Sequence, residues 1–326
     1  MTNKNLLLLL FLFTSLVVQS QTKDASEGSK FFKKLDSLFI DHDLKNYSAR
    51  VFFNYKEKRF KLINGDFKSR YVPNNKFGMG FGFASSKVLI DLAFNIKSGK
   101  KDVTNRFDAQ GSLILMNHHY IDGYIQVYKG FNVRNNFNEP NEFRSDIKSN
   151  TVGVNYLYTF SEVEFSYSLL KAGLIKPDKN VYINGGIGGF LMYDYLTSNG
   201  SILPENGLLY FNEQADIKSY NQRAIGVMGG FLSAFVLPNN FIATFNLMPG
   251  IALANKTVTY QDGGYNRPSN PFLYKCDVLL ALCYNVERYY INLTYDTGIY
   301  ATDLDFNKYR FNLSMAKLAF GYKLKI

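Results

Sequence analysis

Few residues in this chain have types suited to catalysis. Its histidines are His42, His118 and His119, and its cysteines are Cys276 and Cys283. His118 and His119 follow Asn117, and a histidine with an orienting Asn beside a serine is the set a lipid-acting acyl hydrolase would need. Ser112 lies about 20 Å back along the same extended strand, out of hydrogen-bond reach. A serine on a neighbouring strand would have to serve instead, and a polar turn is the plainer reading. Asp41-His42-Asp43 offers one imidazole between two carboxylates, a loose surface set rather than a metal centre. Cys276 and Cys283 sit on opposite faces of one expected strand about 23 Å apart, too far to bridge, and act as small hydrophobes. Asn184-Gly-Gly-Ile-Gly-Gly189 has the glycines of a phosphate cradle, but such cradles need a following helix N-terminus. Here Phe190–Tyr195 continues as strand. The expectation is a non-enzymatic protein with no metal and no cofactor.

The elements that position these residues show a period of two. In Leu318–Ile326 one face carries Leu318, Phe320, Tyr322, Leu324 and Ile326, and the other Ala319, Gly321, Lys323 and Lys325. Phe77–Ala84 alternates Phe77, Met79, Phe81 and Phe83 with Gly78, Gly80, Gly82 and Ala84. Bulky apolar residues opposite glycines and small polar ones suit the convex, lipid-facing side of a closed sheet. A barrel also hides every strand edge, as hydrocarbon requires. About thirteen such segments can be read, near 46–55, 77–84, 88–96, 108–116, 120–131, 150–159, 163–171, 181–196, 222–236, 240–254, 272–286, 288–300 and 310–326. Bacterial barrels have an even number, and the inconsistency falls between 163 and 196. The expected fold is an all-β, transmembrane, up-and-down antiparallel barrel of twelve strands, with fourteen as the alternative. Short turns would lie at the periplasmic end, and long connections near 56–76, 97–107, 132–149, 197–221 and 255–271 would face outward.

The inner face then carries the residual functional signal: Arg50, Asp91, Tyr124, Gln126, Tyr128, Lys275, Asp277, Asn292, Asp296 and Lys323. Their mixed signs fit either buried ion pairs sealing a narrow barrel or a passage for a small polar solute. On the closing strand, Phe320, Tyr322, Leu324 and Ile326 are the residues through which assembly machinery would take hold of the barrel.

Composition agrees. With 24 Tyr, 29 Phe and no Trp in 326 residues, aromatics make up 16%, enough apolar surface to exclude wholesale disorder and to furnish interface girdles. Met1–Ser20 reads as a secretory signal, with Lys4 before an apolar run from Leu6 to Val18 and cleavage between Ser20 and Gln21. That run is shorter than the ~20 residues that span a bilayer as a helix. Residues 21–45 read as a periplasmic lead-in, with Phe31, Phe32, Leu35, Leu38 and Phe39 at helical spacing, and 46–326 as the barrel. The net charge of +10 is dispersed, with clusters at Lys33-Lys34, Lys56–Lys61 and Lys97–Lys101. For an exported barrel this points to outer-membrane lipid and lipopolysaccharide as partners rather than nucleic acid.

Several motifs carry a family resemblance: Asn46–Arg50, Tyr71–Asn75 followed by Gly78–Gly82, Tyr124–Phe131 with its Tyr-Lys-Gly-Phe, Phe165–Tyr167, Gly226–Phe231, Leu282–Asn285 and Gly321-Tyr322. In this order they resemble the Gram-negative outer-membrane barrels called domain-of-unknown-function family four-four-two-one, with a departure at 171–190. The resemblance implies an outer-membrane location and a barrel fold, and it implies no activity. The competing readings are an outer-membrane lipid hydrolase and a soluble secreted β-sandwich.

Overall fold

The computed structural model describes residues 46–84, 88–96, 102–161, 180–204 and 206–325. The expected signal, the lead-in with His42, the segment at 163–171 and Ile326 lie outside them. The strands are β1 Asn46–Asn64, β2 Phe67–Val72, β3 Phe77–Ala84, β4 Val88–Asn95, β5 Asn105–Leu115, β6 His119–Asn135 and β7 Glu142–Thr159. They continue as β8 Val181–Thr197, β9 Ile217–Leu237, β10 Phe241–Tyr260, β11 Tyr265–Asn266, β12 Phe272–Val286, β13 Tyr289–Asp303 and β14 Lys308–Lys325. Twelve of them form one antiparallel ring, β1-β3-β4-β5-β6-β7-β8-β9-β10-β12-β13-β14. It closes where β14 returns to β1 over the register Asn46↔Lys325 to Ile63↔Lys308. The twelve-strand reading therefore holds.

The strands are longer than their apolar stretches at the end away from Asn46 and Lys325, the distal end. Residues 56–76, expected as a loop, contain the outer part of β1 and all of β2. β2 pairs with β1 on one side, Phe60↔Tyr71, and with β6 on the other, Val72↔Asn132. It thus carries the wall onward above the shorter β3, β4 and β5. Where β6 exchanges β5 for β2, Gly130 adopts φ +89°, and on the other side of β6 the register with β7 shifts between Lys129 and Phe131. The step left beneath β2 is bridged by Asn74 and Thr104. The Asn74 N–H donates to Thr104 Oγ1 (3.0 Å), the Thr104 N–H to Asn74 Oδ1 (2.8 Å), and the Thr104 hydroxyl to the Gly130 carbonyl (2.8 Å).

Outside, the barrel is bare. Phe77, Phe81, Ile183, Ile187, Ile225 and Val227 are each more than 60% exposed. Among the described residues the wall is one closed sheet with no second sheet over this belt, and a belt of this kind suits hydrocarbon. Inside, the wall is packed. β3 shows how: its glycines leave room for side chains leaning over from β1. A Cβ on Gly82 would strike the Asp91 carboxylate and the Arg50 guanidinium, and one on Gly80 would strike the Phe52 ring.

Candidate functional site

The inner face of β1 runs the length of the lumen: Ser48, Arg50, Phe52, Asn54, Lys56, Lys58, Phe60 and Leu62, all buried. Nearest the Asn46–Lys325 end, Ser48 meets the Tyr290 hydroxyl at 3.1 Å. Above it the Arg50 guanidinium donates to Asp91 Oδ1 through Nε (2.9 Å) and Nη2 (2.6 Å). Lys317, from β14, also donates to Asp91, with its ammonium 5.4 Å from the Phe52 ring centroid. One carboxylate thus answers two cations from the neighbouring strands of the closure.

Midway up, Lys56 lies 3.5 Å from Asp108 and donates to Gln110 Oε1 (3.2 Å), while the Tyr128 hydroxyl donates to Asp108 (3.1 Å). Across the lumen Lys275 lies 2.8 Å from Asp277 and donates to Asn155, its ammonium 4.6 Å from the Phe190 ring centroid. The Tyr124 and Tyr300 hydroxyls are 2.9 Å apart, and Tyr300 reaches toward Asp277 at 3.4 Å. Between these clusters is a cavity of about 80 Å³, bordered by Tyr124, Gln126, Asp277 and Asp296. It has room for a few waters, and Gln126 Oε1, without a protein partner, is a group that such water would satisfy.

Higher still, Lys58 and Asp194 form an ion pair with both side chains 0% exposed. Thr151 donates to Asp194 Oδ1 (2.7 Å) and Tyr309 to Asp194 Oδ2 (3.1 Å), so a buried charge pair has its remaining valences filled. Above this layer the lumen is aromatic. Phe60 stacks on Tyr71 at 4.3 Å, Phe131 meets Phe60 edge-on at 5.2 Å, and Tyr300 stacks on Phe311 at 4.5 Å. The connection between β8 and β9 seats Ile202, Leu203, Phe211 and Ala215 in this cluster. It is tied down by the Tyr71 hydroxyl to the Ile202 carbonyl (2.9 Å) and by Arg144 to the carbonyls of Ser201 (2.9 Å) and Leu203 (3.3 Å).

Of the inner-face residues read from the sequence, Arg50, Asp91, Gln126, Tyr128, Lys275, Asp277 and Asn292 are buried, while Tyr124, Asp296 and Lys323 are half-buried. Arg50 meets Asp91, Tyr128 meets Asp108, and Tyr124 approaches Asp277 through Tyr300. Phe320 and Tyr322 are exposed on the belt and Leu324 is half-buried. Sequence reasoning missed Lys56, Lys58, Asp108, Asn155, Asp194 and Lys317. Lys56 and Lys58 continue the even-numbered face begun by Arg50, a signal lost once 56–76 is read as a loop. His118 and His119 face other partners than serine. His118 Nδ1 is 2.9 Å from the Thr159 carbonyl, His119 Nδ1 is 2.8 Å from the Tyr156 hydroxyl, and Ser112 donates to Asp122 (3.0 Å). Cys276 is half-buried and Cys283 buried, both as free thiols. The Asn184–Gly189 run lies within β8, where a Cβ on Gly188 would strike the Tyr156 carbonyl.

The model of the family described as "Domain of unknown function (DUF4421)" matches residues 34–324. The chain belongs to this family. No curated protein sequence matches it. Among solved structures it is similar to the outer membrane protease OmpT from Escherichia coli, at 8% identity over 87% of this chain and 99% of that one, with a TM-score of 0.40. It is also similar to the transport unit of the autotransporter AIDA-I from Escherichia coli, at 11% identity, 92% and 99% coverage and a TM-score of 0.36. A third is the outer membrane channel DcaP of Acinetobacter baumannii, at 11% identity, 86% and 96% coverage and a TM-score of 0.25.

Proposed function

We propose that this protein resides in the outer membrane as a closed, non-catalytic barrel. The end of the wall that holds Asn46 and Lys325 faces the periplasm with the short turns, the long connections face the exterior, and the barrel has no standing pore in this state. The observation that carries this reading is the stack of three closures in one lumen: the Arg50–Asp91–Lys317 brace, the Lys58–Asp194 pair, and the aromatic stopper seated by the β8–β9 connection. A diffusion pore needs a wet lumen with charges facing a passage, whereas these charges face one another. The role is structural, holding the external connections on a rigid wall, and a narrow polar passage would require the stopper to withdraw. The non-catalytic reading is supported by the engagement of both His118 and His119 with groups other than a serine.

Planar-bilayer recording tests it. The full-length mature protein should give no steady conductance, and replacing residues 201–211 with a short Gly-Ser linker should produce one. Steady ohmic conductance from the unaltered protein would overturn the closed reading. Fatty-acid release from lipid, lost on His118→Ala or His119→Ala, would overturn the non-catalytic one.

A further inference from the structure

The outward face of the distal wall, above the apolar belt, has a feature that the lumen does not explain. Strand register sets Arg310 of β14 opposite Lys61 of β1, Lys61 opposite Arg70 of β2, and Arg70 opposite Arg134 of β6. Directly opposed residues share a face and stand about 5 Å apart. Four cations therefore stand abreast on four consecutive strands. One step further distal, Lys308 and Lys68 flank Ile63. Arg70, Arg134, Lys308, Arg310 and Lys68 are exposed and Lys61 is half-exposed. Among the described residues none of these six side chains forms an ion pair. The nearest acidic group on the same face of β1, Glu57, is held by Lys76 at 2.6 Å and lies 3.9 Å from Arg59. The charges acting most strongly on Lys61 are all positive: Arg310, Arg70, Lys68 and Arg59.

Like charges directly opposed weaken a sheet, so the row has no structural use of its own. Its height suggests one. On β1 the outward residues are Val51 and Phe53 in the apolar belt, then Tyr55, Glu57, Arg59 and Lys61. Lys61 is thus about 20 Å along the strand from Tyr55, or about 15 Å in height at a barrel tilt of ~40°, which puts it clear of the apolar belt on the polar side of the hydrocarbon. A groove of about 370 Å³ opens beside the row, bordered by Lys61, Lys68, Lys308 and Arg310. Two carboxylates also border it: Asp303, which stands opposite Lys308, and Asp305, which accepts hydrogen bonds from Ser269 N–H (2.8 Å) and hydroxyl (2.7 Å) on the neighbouring connection, so the row Arg310–Lys61–Arg70–Arg134 carries the positive face beside them. Lys129 and Lys148, also exposed and opposed, continue the positive surface along β6 and β7.

We propose that the row Arg310–Lys61–Arg70–Arg134 is a docking site for the phosphate groups of anionic glycolipid in the outer leaflet. The proposal rests on the outer-membrane placement above and adds the site and the chemistry it recognises. Arginine forks on adjacent strands suit phosphate oxygens, and a multiply charged headgroup would relieve the repulsion between them.

The test folds the mature protein into phosphatidylcholine vesicles and titrates in bisphosphorylated lipid A, its dephosphorylated counterpart, or inorganic phosphate. The readouts are glycolipid co-floating with the protein and the temperature at which the compact, SDS-resistant form is lost. Expected are binding and a raised temperature with the bisphosphorylated lipid alone, weakening as salt rises. The triple variant Lys61→Gln, Arg70→Gln, Arg310→Gln should bind at least about tenfold more weakly. Without glycolipid it should melt no lower than the unaltered protein, because opposed charges have been removed. A control with Arg267→Gln and Arg288→Gln should bind like the unaltered protein, and Arg70→Lys with Arg310→Lys should retain most of the affinity. Equal binding by the Gln triple variant, or of the dephosphorylated lipid, overturns the site. Equal protection by inorganic phosphate overturns its assignment to lipid. Failure of the unaltered protein to enter any vesicle overturns the membrane reading and this site with it.

Discussion

Asp194→Ala offers the sharpest trial of whether the lumen is dry. The Asp194 carboxylate accepts from Lys58, from Thr151 and from Tyr309, and neither its side chain nor that of Lys58 is exposed. Removing it leaves the Lys58 ammonium with Thr151 as its nearest oxygen (2.5 Å) and, 5.2 Å away, the centroid of the Phe311 ring. It also strips the Tyr309 hydroxyl of its acceptor. Breaking a buried ion pair from one side costs about 3–5 kcal/mol, and an orphaned buried hydroxyl adds about 1–3 kcal/mol. A loss of about 5 kcal/mol of folding stability is expected, enough to shift the urea midpoint of vesicle-folded protein by more than 1 M at a slope of ~2 kcal/mol/M. Asp194→Asn, which keeps the shape and two of the hydrogen bonds, should cost about half as much. The double variant Lys58→Met, Asp194→Leu removes both charges and should fall within about 1–2 kcal/mol of the unaltered protein, while Lys58→Met and Asp194→Leu alone should each cost about 3–5 kcal/mol, giving a coupling of at least about 4 kcal/mol. If water reached this layer, the stranded ammonium would hydrate and the single variant would lose less than about 1 kcal/mol, with no coupling in the cycle. That result would refute the sealed lumen.

Three further outcomes follow from other layers. Gly82→Val places a side chain where the Arg50–Asp91 bridge now lies. It should cost about 2–4 kcal/mol in the same urea assay, and an unchanged midpoint would mean that the bridge can be accommodated elsewhere. Leu318→Arg puts a cation on the belt beside Phe53 and Leu293 and should destabilise the vesicle-folded barrel by about 2–4 kcal/mol. A soluble sandwich with this face in water would tolerate it. The β8–β9 stopper should be sensitive to acid through Asp146, whose carboxyl is held below the ordinary range by its hydrogen bonds from Arg144 (2.8 and 2.9 Å). A depressed folded-state value means that this stabilisation is complete above the unfolded value near 4 and is lost as pH falls below it. Amide protection of residues 199–203 should therefore be flat from about pH 7 to pH 5, fall below about pH 4, and be low at all pH in Arg144→Ala.

The part of the fold that faces the belt was legible because one face there is wholly apolar. The expected bounds 77–84 and 272–286 coincide with β3 and β12, and the odd count of segments arose between 163 and 196, where the turn rhythm already conflicted and where 163–171 lies outside the described residues. The distal extensions were not legible for a physical reason. Above the belt the exterior becomes charged while the interior becomes aromatic. Phe60, Leu62 and Tyr71 point in, and Lys61 and Arg70 point out, so the apolar face changes sides. A reader following apolar residues outward reaches Lys56 and stops. The partners across the lumen were hidden for another reason. Alternation assigns Arg50, Asp91 and Lys275 to a face, but not to one another. Lys58 and Asp194 are 136 residues apart, Lys275 and Asn155 are 120 apart, and Lys317 and Asp91 are 226 apart. Such pairs are brought together by the closure and curvature of the wall, which depend on all twelve strands at once.

The outer half of β1 joins the two proposals. Its inward residues Lys56, Lys58, Phe60 and Leu62 build the sealed layers and the stopper, and its outward residues Arg59 and Lys61 belong to the cationic wall. Because side chains alternate strictly, a slip of one residue would expose Phe60 and Leu62 and drive Lys61 into the aromatic cluster. The register is held on one side by eighteen consecutive pairs with β14 and on the other by β2 and β3. Phe60 and Leu62, at 1% and 0% exposure, each gain about 2 kcal/mol from burial. That gain exceeds the repulsion between partly solvated cations on the opposite face, which is of the order of a few tenths of a kcal/mol per pair. The aromatic interior thus holds a row of opposed cations that the exterior alone would disperse. Replacing Phe60 with Ser should loosen the stopper and the glycolipid site together, whereas Lys61→Gln should weaken only the latter.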